Sequence, residues 1–322
     1  MFNYRVAVLR GSPSNEHDVS MLTGAAVIKS LQRQESYVQD IVITKKGEWL
    51  VQGKVRKPEE ALEAIDVVFV ALHGKYGEDG EVQRLIQRLK LPFTGSDSLS
   101  SATAFNKHFA KETLLKHGVL MPSHYLYKTD SDISVEEAVT EITSSFGPEY
   151  ILKPRSDGSS IGIEFVRQGE SLVEILDKMS KEYDDILVEE FIRGKEASVA
   201  ILENYRGEET YAFPAIEIVT PSSCNFFTTD AKYQSETQEI CPGRFSFSER
   251  SEISEISTLV HKTLGLSQYS RSDFIIKDRK PYFLEVNTHP GLTENSLYPK
   301  AAQAVGMTFD QLVAHLVTTA SN

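Results

Sequence analysis

Soft chemistry is scarce in this 322-residue chain, which holds two cysteines, Cys224 and Cys241, and one tryptophan. Two thiols in one polar stretch of a chain this long read as free groups, not a disulfide framework, and they are too few for a thiolate metal site. Basic residues are also in deficit. Lys and Arg number 34 against 46 Asp and Glu, a formal net charge of -12, so a nucleic-acid partner is not expected. No stretch approaches the ~20 continuous apolar residues of a membrane span. The opening MFNYRVAVLRG runs straight into a strand pattern with no signal-like segment, so the expectation is a cytoplasmic protein without a membrane partner. The G-x-x-x-x-G-K-[ST] phosphate loop is missing too, and a nucleotide would have to be gripped in another way.

What is present is an ordinary globular composition, 40% hydrophobic and 25% charged. The length suits two or three units of ~100–200 residues. Residues 4–9 are an apolar run ending at Gly11-Ser12-Pro13, followed by helical spacing over 18–31. Strands are expected at 38–44, 49–51 and 67–72, the last continuous enough to be a central parallel strand. Ligands of open α/β sheets bind beyond the carboxyl ends of strands, so loops 10–20 and 73–81 are candidate site walls. A boundary falls at 93–96, and a helix over 98–116 stops at Gly118 and Pro122. Strands at 124–127, 150–153, 162–166 and 186–190, with helices at 135–146 and 172–179, then give an α+β pattern. The last third shows strands at 197–202, 211–219, 273–276 and 282–286 and helices near 251–264 and 309–317. Residues 220–246 are polar and aperiodic, a candidate cover. The expected division is 1–97, 98–195 and 196–322.

The sharpest chemical signal is Arg271-Ser-Asp273 followed by Glu285-Val-Asn287. Residues two apart on a strand share a face, and a hairpin through 278–280 would bring Asp273 beside Glu285 and Asn287. Three hard oxygen donors, completed by phosphate oxygens and water, suit Mg²⁺. One such pair would be read as a solvated polar face; three, leading into Thr288-His-Pro-Gly291, favour a metal. A second signal is Lys153-Pro-Arg-Ser-Asp-Gly158-Ser159-Ser160, where a strand ends in a lysine and a small-residue loop able to close backbone N–H groups on phosphate. A third is Glu189-Glu190-Phe-Ile-Arg-Gly194-Lys-Glu196, an acidic linker suited to an adenine amino group and ribose hydroxyls, or else a charged hairpin cap.

Together these stretches resemble the ATP-grasp superfamily. Ser14-Asn-Glu16-His-Asp-Val-Ser20, His73-Gly-x-x-Gly-Glu78-Asp-Gly80 and Gly291-Leu-Thr-x-x-Ser296-Leu make the chain similar to the D-alanine–D-alanine ligases in particular, from about residue 5 to 316. The resemblance implies a Rossmann-like parallel-sheet unit followed by a two-part ATP-grasp fold. It implies ATP with Lys107 and Lys153 on its phosphates, Glu189 and Glu196 at adenine and ribose, and Lys232 also at the nucleotide. Asp273, Glu285 and Asn287 would hold two Mg²⁺ ions, with Mn²⁺ as a substitute. Glu16 would anchor the ammonium of the first D-alanine, although a glutamate at a helix start is also a dipole-matched cap. His73 and Glu78 would support that wall, and Ser296 and Leu297 would receive the second amino acid. Ser159 and Tyr233 would tie the phosphate loop and cover to Glu16, and Arg271 with the Gly291 N–H would hold the oxyanion. The family also implies a homodimer and a role in peptidoglycan precursor synthesis. The alternatives are a ligase taking D-lactate, D-serine or another second substrate, and a nucleotide-binding homologue without catalysis; Ala231-Lys232-Tyr233 favours an amine nucleophile.

The chain departs from the family pattern in places. Arg10 stands where a second glycine is usual and is expected to add a cation beside the first substrate pocket. Phe226-Phe-Thr-Thr-Asp230 lacks the tyrosine-rich spelling of the cover, and Cys241-Pro-Gly243 replaces a commoner ending.

Overall fold

A computed structural model describes residues 4–156, 158, 162–220 and 237–321. The first segment contains β1 (Arg5–Gly11), α1 (His17–Arg33), β2 (Tyr37–Ile43), β3 (Trp49–Val51), β4 (Lys54–Arg56), α2 (Pro58–Ala61), β5 (Val67–Val70) and α3 (Glu81–Arg88). Its sheet runs β4-β3-β2-β1-β5, with β1 parallel to both β2 and β5. The apolar run of β1 belongs to an interior strand, whereas β5, expected to be central, ends the sheet and is extended only by a Val68–Phe93 bridge; its run is apolar because all four of its residues are buried.

The second segment contains α4 (Ser98–Phe105), α5 (Lys107–Leu115), β6 (His124–Lys128), α6 (Val135–Ser145), β7 (Tyr150–Pro154), β8 (Glu164–Val166), α7 (Leu172–Ser180) and β9 (Asp185–Glu190). Its antiparallel sheet has the order β6-β9-β7-β8. The single helix expected over 98–116 is two, because Asn106 leaves the helical region (ψ 96) and its side chain accepts the Phe109 N–H as a new cap. The Lys107 N–H then reaches the Arg155 carbonyl, which ties α5 to the loop after β7.

The third segment contains β10 (Lys195–Tyr205), β11 (Glu208–Ala212), β12 (Ile216–Val219), β13 (Gln238–Ile240), α8 (Phe247–Thr263), β14 (Tyr269–Lys277), β15 (Lys280–Asn287), α9 (Leu297–Ala304) and α10 (Phe309–Ala320). The sheet order is β13-β12-β10-β14-β15, with β11 also paired to β10. The strand expected over 211–219 is broken at Pro214, which has no N–H for a ladder. The stretch expected to be aperiodic over 220–246 contains β13, paired with β12. Its residues 221–236, with Cys224, lie outside the described residues.

One apolar core joins α1, β1 and β5 to α9, α10 and one face of the third sheet; Val8, Val27 and Phe69 share it with Leu202, Tyr298 and Leu316. Tyr298 is fully buried there and donates its hydroxyl to the Ile201 carbonyl at 2.7 Å. The loops after β1 and β5 are thereby held against the end of β15.

Candidate active site

The β14–β15 hairpin turns through Asp278 and Arg279, both at positive φ (51° and 64°), which matches the twist of paired strands. Its register sets Asp273 opposite Glu285 and Arg271 opposite Asn287. Asp273 accepts from Arg271 Nε at 3.0 Å and Nη2 at 2.8 Å, and from Ser198 Oγ on β10 at 2.6 Å. Asn287 is assigned with its oxygen toward Arg271 Nη2 at 3.2 Å and its nitrogen toward Glu78 Oε1 at 3.3 Å. Burial alone would lower the Arg271 pKa, but Asp273 raises it, with Glu285 and Glu78 adding to the effect, so the guanidinium stays charged. Glu285 lies on the cleft side, 3.5 Å from Lys107 Nζ.

Beside this hairpin is a buried triad at the wall of the cleft. Glu189 receives Lys111 Nζ on one oxygen at 2.9 Å and Lys153 Nζ on the other at 2.8 Å. Burial would raise the Glu189 pKa, but the two ammonium groups outweigh it and hold the carboxyl at about 2. Burial pushes Lys111 down to about 8 against the pull of Glu189. The Glu189 carboxylate thus holds two lysines at the wall of the cavity expected for the nucleotide. Lys111 was not among the expected residues; its spacing of four from Lys107 on one helix is the signal that would have found it.

At the other end, the loops after β1 and β5 meet. Ser14 Oγ donates to the His73 carbonyl at 2.9 Å, and Gly74, at φ +67°, approaches so closely that an added Cβ would lie 2.5 Å from Glu16 Oε2. Gly158 is packed against the same carboxylate. His73 donates from Nδ1 to the His289 carbonyl at 2.9 Å, and its Nε2 lies 2.8 Å from Thr23 Oγ1. Burial raises the neighbouring Glu78 carboxyl to about 7, against the pull of His73.

Two cavities organise these groups. One of about 310 Å³ is lined by Lys153, Glu189, Glu196, Asp273, Ser296 and Leu297, with Ile163, Phe191 and Ile192 as apolar walls that sequence reasoning missed. A second of about 120 Å³ is lined by Glu16, His73, Glu78, Lys107 and Asn287. Arg271, Glu285 and Gly291 line both. Ser296 precedes α9 without a side-chain capping bond to it, and its hydroxyl accepts the Thr293 N–H at 3.1 Å while facing Gly291. Ser159, Lys232 and Tyr233 lie outside the described residues.

Arg10 does not behave as expected. Its Nε donates to Asp40 at 2.7 Å and its stem packs on Gly24 of α1, so its charge is spent on β2 and not on the amino-acid pocket.

The family model described as "D-ala D-ala ligase N-terminus" matches residues 5–61 and 51–96, and that described as "D-ala D-ala ligase C-terminus" matches 116–318. The chain belongs to the D-alanine–D-alanine ligase family. It is 37% identical to D-alanine–D-alanine ligase of Geobacter sulfurreducens over 319 residues, covering 98% of this chain and 94% of that one. Among solved structures it superposes on D-alanine–D-alanine ligase from Bacillus anthracis complexed with ATP with a TM-score of 0.80 at 28% identity, covering 98% and 97% of the two chains. It also superposes on the VanG D-Ala:D-Ser ligase from Enterococcus faecalis with a TM-score of 0.84 at 27% identity, covering 99% and 100%. The mixed α/β fold, with one parallel-containing sheet and two antiparallel ones, is that of these family structures.

Proposed function

We propose that this chain joins two D-alanine molecules into D-alanyl-D-alanine for peptidoglycan precursor synthesis, converting ATP to ADP and phosphate. The observation that carries the reading is the sharing of Arg271, Glu285 and Gly291 by the two cavities. Acyl transfer through an acyl phosphate needs a nucleotide chamber and an amino-acid chamber that open onto one reacting carbon. The larger cavity falls in the size range of ligand pockets, ~300–1,000 Å³.

In this reading the first D-alanine lies in the smaller cavity with its ammonium on Glu16, a wall braced by His73 and Glu78. Its carboxylate attacks the γ-phosphorus of ATP, and ADP leaves. Lys107 and Lys153 supply positive charge at the phosphates, which lowers the repulsion between two anions. Glu196 serves the ribose, and Glu189 keeps Lys153 in position through the buried pair. Asp273, Glu285 and Asn287 offer only oxygen donors and fit Mg²⁺ or Mn²⁺, which supplies further neutralising charge when bound. The amine of the second D-alanine, received by Ser296 and Leu297, then attacks the activated carbonyl. Arg271, half-buried and charged, and the Gly291 N–H stabilise the tetrahedral oxyanion. The amine loses a proton, phosphate departs, and the amide remains. In this proposal Ser159 and Tyr233 act with Glu16 to tie the phosphate loop and the cover to the amino-terminal unit and Lys232 serves the nucleotide; the units divide at 1–97, 98–195 and 196–322, and the protein is a cytoplasmic homodimer.

Among the described residues no helix is long and apolar enough to cross a membrane. The test of the function is mass spectrometry of the product formed from ATP, Mg²⁺ and a mixture of D- and L-amino acids and D-lactate, alongside phosphate release. D-alanyl-D-alanine should dominate, with one phosphate per dipeptide; a dominant D-alanyl-D-serine or an ester would replace the second substrate assigned here.

A further inference from the structure

One polar cluster of the second segment has no part in the ligase chemistry above. His108 and Glu112 are one helical turn apart on α5 and so share a face, and His124 begins β6 across from them. One donor atom from each residue can be chosen so that all three lie within 4.8 Å of one another. His124 Nδ1 lies 3.3 Å from the Pro122 carbonyl, an oxygen that can only accept, so Nδ1 carries the proton. In the neutral ring Nε2 then has only a lone pair, and it faces Glu112 Oε1 at 3.2 Å. Two acceptors at that distance call for a cation between or beside them, either a second proton on the ring or a metal. Nδ1 of His108 is buried and has no hydrogen-bond partner.

We infer that His108, Glu112 and His124 form a site for a transition-metal dication of the Zn²⁺ class, separate from the oxygen donors at the nucleotide cleft. Two imidazoles and one carboxylate, with water in the fourth position, are a ligand set for Zn²⁺, Co²⁺ or Ni²⁺ and a poor one for Mg²⁺, which prefers oxygen alone. A ligating histidine whose other ring nitrogen donates to a backbone carbonyl is the usual arrangement in such sites, and His124 has it through Pro122. The Glu112 side chain is 46% exposed, which gives the ion a route in from solvent. Bound metal would clip α5 to β6. The same helix carries Lys107 and Lys111 toward the cleft, and His124 is paired in register with Glu189, so the clip would fasten the scaffold of the buried lysine–glutamate triad from its far side.

The test uses the full chain without nucleotide, titrated with Co²⁺ alone and then with Zn²⁺. One equivalent of Co²⁺ should bind with visible d–d absorption, be displaced by Zn²⁺ and survive excess Mg²⁺. His108→Asn leaves the Glu112–His124 contact in place and should weaken Zn²⁺ binding by at least about tenfold, as should Glu112→Gln. Asp273→Asn should bind Zn²⁺ like the parent chain. Circular dichroism of each variant reports whether it is folded. Absence of d–d bands, displacement by Mg²⁺, or Zn²⁺ binding undiminished in a folded His108→Asn chain would leave the cluster a plain ion pair and overturn the assignment.

Discussion

Lys111 and Glu189 meet at 2.9 Å with both side chains sealed from water, the lysine fully and the glutamate to within 4%. An ammonium so placed depends on the carboxylate, since alone it would be a bare charge in a low-dielectric interior. Glu189→Gln should therefore cost about 3–5 kcal/mol of stability, read as a fall in the urea unfolding midpoint at unchanged slope. Lys111→Met leaves Glu189 balanced by Lys153 and should cost less, and combining it with Glu189→Gln removes one of the two stranded ammonium groups, so the double variant should recover part of the Glu189→Gln loss. No recovery in the double variant would show that the pair is not coupled.

The pH dependence of stability should have two opposite limbs. Glu189 is held at about 2 against an ordinary 4.5, so its contribution is complete above pH 4.5 and disappears as pH falls toward 2. Glu78 is raised to about 7, so the folded state favours its protonated form; that contribution is complete below 4.5 and is lost as pH rises through about 7. Glu78→Gln should flatten the curve between pH 4.5 and 7, a change on the order of 3 kcal/mol, and leave the acid limb alone. Urea midpoints across that range measure it, and an unaltered slope in the variant would rule out Glu78 as the titrating group.

Gly74 is required for two reasons at once, its φ of +67° and the closeness of Glu16 Oε2. Gly74→Ala should cost about 1–2 kcal/mol in backbone strain and push Glu16 off its position. If Glu16 anchors the first amino acid, the KM for D-alanine rises several-fold while the KM for ATP stays the same. Equal shifts in both would point to a general loosening and not to displacement of Glu16.

Glu285 is 36% exposed in its side chain and supports no core, so Glu285→Ala should leave the unfolding midpoint nearly unchanged while abolishing turnover. Phosphate release with both substrates present is the readout. Undiminished release would remove Glu285 from the proposed metal trio.

The sequence by itself determined the alternation of elements, because the period-two donors of β14 and β15 and the apolar runs of β1 and β5 are local patterns that a strand either carries or lacks. It also marked the residues that line the two cavities, since Lys153, Asp273, Glu285 and Asn287 sit at strand positions whose facing follows from spacing alone. Tertiary structure decided which charges find each other. Arg10 looked like a cation for the substrate and is paired with Asp40, Glu189 also holds Lys111 and Lys153, which its spacing did not indicate, and Asn106 split a helix that spacing made continuous. These outcomes rest on desolvation and on partners far apart along the chain, and neither is encoded in any window of neighbouring residues.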